Sequence, residues 1–136
     1  MSEENKRVVQ RLFDEVWNQG AIEMIDEIYS EDFVAFYSPP IDFGTGLDGL
    51  RDIVIQMRNT FPDYHEEVKE VIAEGNKVVA RFVVEGTHDG PLGELPPTGK
   101  SVCFEEIAIF RIENGKIVEQ RGIPDVMTMF QQLGML

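Results

Sequence analysis

The chain has 136 residues, the length of one ordinary domain, so we expect residues 1–136 to form a single domain. Its 43% apolar and 27% charged residues are typical of a globular protein and exclude a disordered chain. The formal net charge of −13 argues against binding to nucleic acid or to anionic membranes, because such a surface repels phosphate groups.

The first half of the chain predicts three helices and one short strand. Apolar residues recur at helical spacing over 9–17, 22–29 and 50–61, with stop signals at Asn18-Gln19-Gly20 and Phe61-Pro62-Asp63. Between the second and third helices we expect a short extended segment at 33–37 and a glycine-rich loop at 41–49.

The second half changes to a period of two, which predicts strands at 64–73, 77–88, 101–112 and 116–123, followed by a short helix at 126–133. Asn114-Gly115 is a strong signal for a tight hairpin between the last two strands. Helices followed by long antiparallel strands predict an α+β fold in which a curved sheet covers the helices. A ligand cavity is expected between the two layers.

Other features restrict the location and the chemistry. The single Cys103 cannot form an internal disulfide, and we expect it to be a small buried residue. Residues 1–7 do not have the pattern of a signal peptide, and no segment approaches the roughly 20 apolar residues of a membrane span, so a cytoplasmic protein is expected. The two histidines lack the spacing of a transition-metal site, and we expect no metal and no other cofactor.

Strand alternation brings one or more ionisable residues onto each apolar face. These are His88 at the end of the second long strand, Glu106 within the third, and Arg121 and Asp125 on the last. If the strands alternate regularly, the four side chains converge in the cavity, although a bulge would turn any of them outward.

Each of these residues has a structural and a catalytic interpretation. At a cavity wall, Asp125 would have a raised pKa and suit acid/base chemistry, whereas as the N-cap of the last helix it would have a lowered one. His88 is either a strand-end histidine half in water or a proton carrier. Arg121 either orients an anionic part of the substrate or pairs with Glu119 or Glu106.

Several ordered segments together resemble the SnoaL-like polyketide cyclases, a family within the nuclear-transport-factor-2-like group of cone-shaped α+β half-barrels. The resemblance extends over nearly the whole chain and depends on segments 16–20 (VWNQG), 61–63 (FPD), 86–90 (GTHDG), 97–101 (PTGKS), 115–119 (GKIVE) and 131–134 (QQLG), with Asp125. It implies an aldol-type ring closure without metal or nucleotide. It also implies that Asp125 is the catalytic acid/base, that His88 is its pocket partner, and that the protein is a homodimer.

The chain also departs from the family pattern. At the position of Arg121 many members are expected to have Trp, and a His expected near Phe36 is missing. Both changes alter the polarity expected for the cavity.

We therefore expect a cofactor-independent cyclase, isomerase or lyase that acts on a small hydrophobic or aromatic carbonyl compound. The alternatives are a non-catalytic binding protein for a hydrophobic metabolite and an interaction domain without a ligand. The candidate substrate-binding residues are Trp17, Phe36, Met57, Phe61, Phe82, Phe104, Glu106 and Arg121.

Overall fold

The computed structural model describes residues 2–136. Its helical elements are α1 (Ser2–Arg11), a π-helical continuation (Leu12–Trp17), a 3₁₀ turn (Ile22–Met24), α2 (Ile25–Ile28), α3 (Gly46–Thr60) and α4 (Val126–Gln132). The strands are β1 (Tyr29–Phe36), β2 (His65–Glu74), β3 (Lys77–Thr87), β4 (Ser101–Glu113) and β5 (Lys116–Pro124). The predicted order of elements is confirmed.

The five strands form one open sheet in the order β1-β5-β4-β3-β2. Strands β2 to β5 are a sequential antiparallel meander, and β1 lies parallel to β5 at one edge. Asn114 and Gly115 have φ angles of 51° and 76° and connect Glu113 to its paired Lys116, as the hairpin signal predicts. The α+β half-barrel with a mostly antiparallel sheet is therefore confirmed.

The apolar faces of β3 and β4 point inward, toward the helices. Buried residues alternate along both strands, and the inner set consists of Val78, Ala80, Phe82, Val84, Val102, Phe104, Ala108, Phe110 and Ile112. On the helical side, the core includes Leu12, Phe13 and Val16 of the π-helical segment and Leu50 of α3. The predicted alternation is confirmed for these two strands.

The alternation predicted for β5 is wrong. Ile112 pairs with Ile117, but Arg111 pairs with Glu119, so that one extra residue lies between them as a β-bulge. A single inserted residue reverses the facing of every residue that follows it. Gln120 and Gly122 are consequently buried on the inner face, while Arg121 is exposed on the outer face.

The Phe61-Pro62-Asp63 segment fastens the end of α3 to the end of β3. The Asp63 carboxylate accepts hydrogen bonds from Thr87 N at 2.6 Å and from Thr87 Oγ1 at 2.8 Å, and these bonds lower its pKa. A Cβ at Gly86 would lie 2.8 Å from Phe61 Cβ, so the close packing of the two segments requires glycine there. Phe61 is thereby buried in the core.

Candidate active site

A cavity of about 400 Å³ lies between the inner face of the sheet and the helices, a volume suited to a small organic ligand. Much of its wall is aromatic or aliphatic. Five of the predicted binding residues line it: Trp17, Met57, Phe82, Phe104 and Glu106.

A chain of hydrogen bonds crosses the polar part of the cavity wall. Gln120 accepts at Oε1 from Tyr29 OH at 2.9 Å and donates from Nε2 to Tyr37 OH at 2.7 Å. Tyr37 OH in turn donates to Glu106 Oε2 at 3.3 Å. These hydrogen bonds fix the relative orientation of the four side chains, and Glu106 lines the cavity.

Glu106 has the properties of a proton carrier at neutral pH. It lies on the inner face of β4, between Phe82 of β3 and Pro124 of β5 in the strand register. Burial raises its pKa from 4.5 to about 7, while the hydrogen bond from Tyr37 acts in the opposite direction. At that pKa both the acid and the carboxylate are populated near pH 7.

A second carboxyl group, Glu66 of β2, lines the same cavity and is 5% exposed. Its Oε2 accepts a hydrogen bond of 2.5 Å from Tyr64 OH. Burial and the negative charge of Glu106 raise the pKa of Glu66 well above its ordinary value, against the effect of the Tyr64 hydrogen bond. The Asn18 side chain holds the backbone of Glu66, donating to its carbonyl at 2.9 Å and accepting from its N–H at 2.7 Å.

Four polar residues of the site were not predicted from the sequence: Glu66, Tyr64, Tyr37 and Gln120. Glu66 stands in the charged run His65-Glu66-Glu67, which has the appearance of a solvent-exposed segment. Strand alternation places Glu66 on the same face as Tyr64 and Val68, but only the pairing of β2 with β3, which sets Glu66 opposite Val84, shows that this is the inner face. Gln120 was hidden by the bulge in β5, since regular alternation predicts that it points outward.

Three predicted binding residues do not reach the cavity wall. Phe61 is in the core, with its ring centroid 5.9 Å from that of His88. Phe36 and Arg121 pair across β1 and β5 on the outer face, where the Arg121 guanidinium lies 4.0 Å from the centre of the Phe36 ring. Arg121 also forms an ion pair with Glu119, with Nη2 3.0 Å from Oε2, as the structural interpretation predicts.

Asp125 is exposed at the N-cap of α4 and does not line the cavity. Its Oδ1 accepts from Thr128 N at 3.1 Å and its Oδ2 from Thr128 Oγ1 at 2.6 Å. These hydrogen bonds lower the pKa of Asp125. A lowered pKa is what the N-cap interpretation predicts. The predicted convergence of Asp125 and Arg121 with Glu106 is wrong, because the bulge in β5 precedes both residues.

His88 is fully buried and is not part of the cavity wall. Its Nδ1 lies 2.9 Å from Thr98 Oγ1 and accepts from Thr98 N at 3.3 Å. Its Nε2 has no hydrogen-bond partner among residues 2–136. The expectation that it is half in water is wrong, because the loop that carries Thr98 folds over the ring.

The remaining expectations concern the thiol, metals and membranes. Cys103 is exposed on the outer face of β4, so its predicted burial is wrong. Within residues 2–136, no three His, Cys, Asp or Glu side chains are grouped so that they could hold a metal ion. In the same range, no helix has the length and apolar composition needed to cross a bilayer.

Comparisons with known proteins identify relatives of this chain. A family model described as SnoaL-like polyketide cyclase matches residues 7–133. The chain is 31% identical over 120 residues to the nogalonic acid methyl ester cyclase of Streptomyces nogalater, covering 87% of this chain and 89% of that one. It is 37% identical over 70 residues to the aklanonic acid methyl ester cyclase DnrD of Streptomyces peucetius, covering 52% and 48% respectively.

Solved structures share the fold over almost the full length. TsrD of Streptomyces laurentii superimposes with a TM-score of 0.88 at 23% identity, covering 100% of this chain and 98% of that chain. IdmH of Streptomyces antibioticus superimposes with a TM-score of 0.84 at 26% identity, covering 96% and 98%.

Proposed function

The chain belongs to the SnoaL-like polyketide cyclase family, and from this premise we propose that it closes a ring in a small aromatic polyketide by an intramolecular aldol reaction. Glu106 carries the proton. Its carboxylate removes a proton from the carbon next to one carbonyl, and the resulting enolate carbon forms a C–C bond with a second carbonyl carbon. The alkoxide formed there then takes a proton from the Glu106 acid, which restores the carboxylate.

The observation that carries this proposal is that Glu106 lies in an aromatic cavity and has a pKa of about 7. A proton carrier works best when its pKa is near the working pH, because both protonation states are then available. The pKa of Asp125 is lowered, so at neutral pH very little of its protonated form is available to donate a proton. It stays the rival candidate, on the family resemblance alone.

The charges of the cavity wall favour a neutral substrate. Asp42, Glu66 and Glu106 are its carboxyl groups, and no Lys, Arg or His among residues 2–136 lines it. A free carboxylate would find no cation there and would be repelled, whereas a methyl ester carries no charge. Two relatives are named methyl ester cyclases. We therefore propose an aromatic polyketide ester with ketone groups as the substrate class.

The test compares E106Q with D125N, two changes of the same chemical kind. Purified variants are given aklanonic acid methyl ester and nogalonic acid methyl ester, and ring closure is followed by chromatography. E106Q is expected to lower kcat/KM by about a hundredfold to ten-thousandfold, and D125N to leave it close to the wild-type value. The reverse pattern assigns the proton transfer to Asp125. Tight binding of the esters without turnover by the wild type indicates the alternative, a binding protein for a hydrophobic metabolite.

We also propose a homodimer that forms through the outer face of the sheet. This face exposes apolar side chains that are unusual on the surface of a monomer, namely Val34, Phe36, Ile107, Ile109 and Ile123. They lie on the adjacent strands β1, β5 and β4, so they form one patch opposite the cavity.

A further inference from the structure

One oxygen of Glu66 is left without a partner at the cavity wall. Tyr64 OH bonds to Oε2, but Oε1 is buried and has no hydrogen-bond partner among residues 2–136. Buried polar atoms are nearly always paired, so an unpaired one in a ligand cavity is a candidate position for a hydrogen bond to the ligand.

The surroundings of Glu66 favour a protonated Oε1, which would act as a hydrogen-bond donor. The titratable groups that face Glu66 are Tyr64 beside it, Glu106 of β4, and Tyr29 and Tyr37 from the β1 side, and none of them is a cation. Burial and the charge of Glu106 favour the neutral acid form of Glu66. Because Tyr64 donates to Oε2, the acid proton of Glu66 is left on Oε1.

We propose that Glu66 is a second catalytic residue, which donates a hydrogen bond from Oε1 to a carbonyl oxygen of the bound substrate. The inference deepens the proposed function and rests on it. When Glu106 removes the neighbouring proton, negative charge develops on that carbonyl oxygen. A fixed neutral donor stabilises this charge more strongly than it stabilises the uncharged ketone. The proton stays on Glu66, so no transfer to the substrate is required.

The donor is held in place before the substrate binds. Asn18, at the end of the first helical segment, clamps both backbone polar groups of Glu66. The Tyr64 ring lies 5.3 Å from Trp17, centroid to centroid, so the phenol that bonds to Oε2 is itself packed against the helical layer. A donor oriented in this way needs no reorganisation during the reaction.

The site therefore defines a ligand with two features. One is a carbonyl oxygen that reaches Glu66, and the other is an acidic C–H bond that faces Glu106. An aromatic ketone with hydrogens on the adjacent carbon has both, whereas a plain aromatic hydrocarbon has neither.

The experiment uses isotope-edited infrared spectroscopy of carbonyl-labelled 1-tetralone, an aromatic ketone, bound to the 136-residue chain. A hydrogen bond lowers the carbonyl stretching frequency. We expect a lowered frequency in the wild type and in E106Q, a partial shift in E66Q, whose amide still donates, and the frequency of an apolar solvent in E66M. A carbonyl band in E66M at the same frequency as in the wild type overturns the proposal. A wild type that does not bind the ketone also overturns it.

A second measurement covers the possibility that E66M does not fold. The carboxylic acid band of Glu66, identified by its loss in E66Q, is expected to shift when wild type binds the ketone, and a band that does not move overturns the proposal. Kinetically, E66M is expected to lower kcat about a hundredfold or more, with a much smaller change in KM. The two proposals can fail separately. If the carboxylic acid band of Glu66 shifts on binding the ketone but E106Q keeps full cyclase activity, the proposed function is refuted and the donor role of Glu66 stands.

Discussion

The ring of Tyr37 lies directly against the Cα atom of Gly122, so that a Cβ at position 122 would overlap the ring. The Tyr37 ring also stacks on Phe43, with centroids 4.4 Å apart and planes 12° from parallel. These two contacts hold the ring whose hydroxyl donates to Glu106, so a glycine without side-chain chemistry helps to position the proposed proton carrier.

Substitution G122A is expected to destabilise the fold by about 1–3 kcal/mol, because the new methyl group and the Tyr37 ring cannot occupy the same space. Urea unfolding measures the change. In a Y37A background the ring is gone, and the same G122A substitution is expected to cost much less. Equal costs in both backgrounds would show that the contact does not determine the effect.

Substitution Y37F is expected to raise the pKa of Glu106 above its value of about 7, since the Tyr37 hydrogen bond favours the ionised form. NMR titration of the Glu106 carboxyl carbon measures this shift directly. The matched control is Y64F, which removes a phenol hydroxyl that bonds to Glu66 instead. A Glu106 pKa that stays the same in Y37F, or that also rises in Y64F, contradicts the prediction.

The raised pKa of Glu106 also predicts how stability depends on pH. A group whose pKa is higher in the folded state stabilises the fold at low pH and loses this effect as the pH rises through its folded pKa. For Glu106 the pKa is raised from 4.5 to about 7, so the loss falls between these two pH values. Between pH 5 and pH 8 the wild type is expected to lose about 2–3 kcal/mol more stability than E106Q, which cannot ionise. Urea unfolding at several pH values tests this.

The control for that experiment is E105Q, which neutralises the adjacent, exposed carboxylate on the outer face of β4. Its stability is expected to fall with pH as steeply as that of the wild type. A parallel loss of stability in wild type and E106Q would mean that Glu106 ionises as easily in the folded chain as in the unfolded one.

Asp125 is expected to contribute to stability as a helix cap. Substitution D125A removes the acceptor for Thr128 N and Oγ1 and should lower the Tm at pH 7, whereas D125N retains one acceptor oxygen and should lower it less. Because the folded pKa of Asp125 is lowered, the cap stabilises above about pH 4 and is lost as the pH falls through the folded value. The Tm difference between wild type and D125A should therefore narrow in acid, and a constant difference would refute the cap.

The outer-face homodimer is expected to dissociate when charge is introduced into the patch. The double variant I107D/I109D should elute and scatter light as a monomer, because an interface on this face would have to desolvate two added carboxylates. The control is I55D on α3, where an isoleucine of similar exposure lies away from the sheet. If I107D/I109D and wild type have the same mass in solution, this face is not the interface.

The sequence predicted the helices, the hairpin at Asn114-Gly115 and the inward position of Glu106, and all three are confirmed. These features have a local cause. Helical spacing and strand alternation depend on residues a few positions apart, and a tight turn depends on the residues in it. The interpretation of Asp125 as an N-cap had the same local basis, in a Pro-Asp pair before a helix.

Only the tertiary structure decided which other side chains meet Glu106. The extra residue in β5 turns Arg121 away from the cavity and Gln120 into it, and a period of two cannot reveal where a strand gains one residue. Glu66 comes into the cavity because β2 pairs with β3 in one register and Asn18 holds its backbone from 48 positions away. Its burial, and with it the neutral form that we propose as a donor, depends on contacts between distant segments.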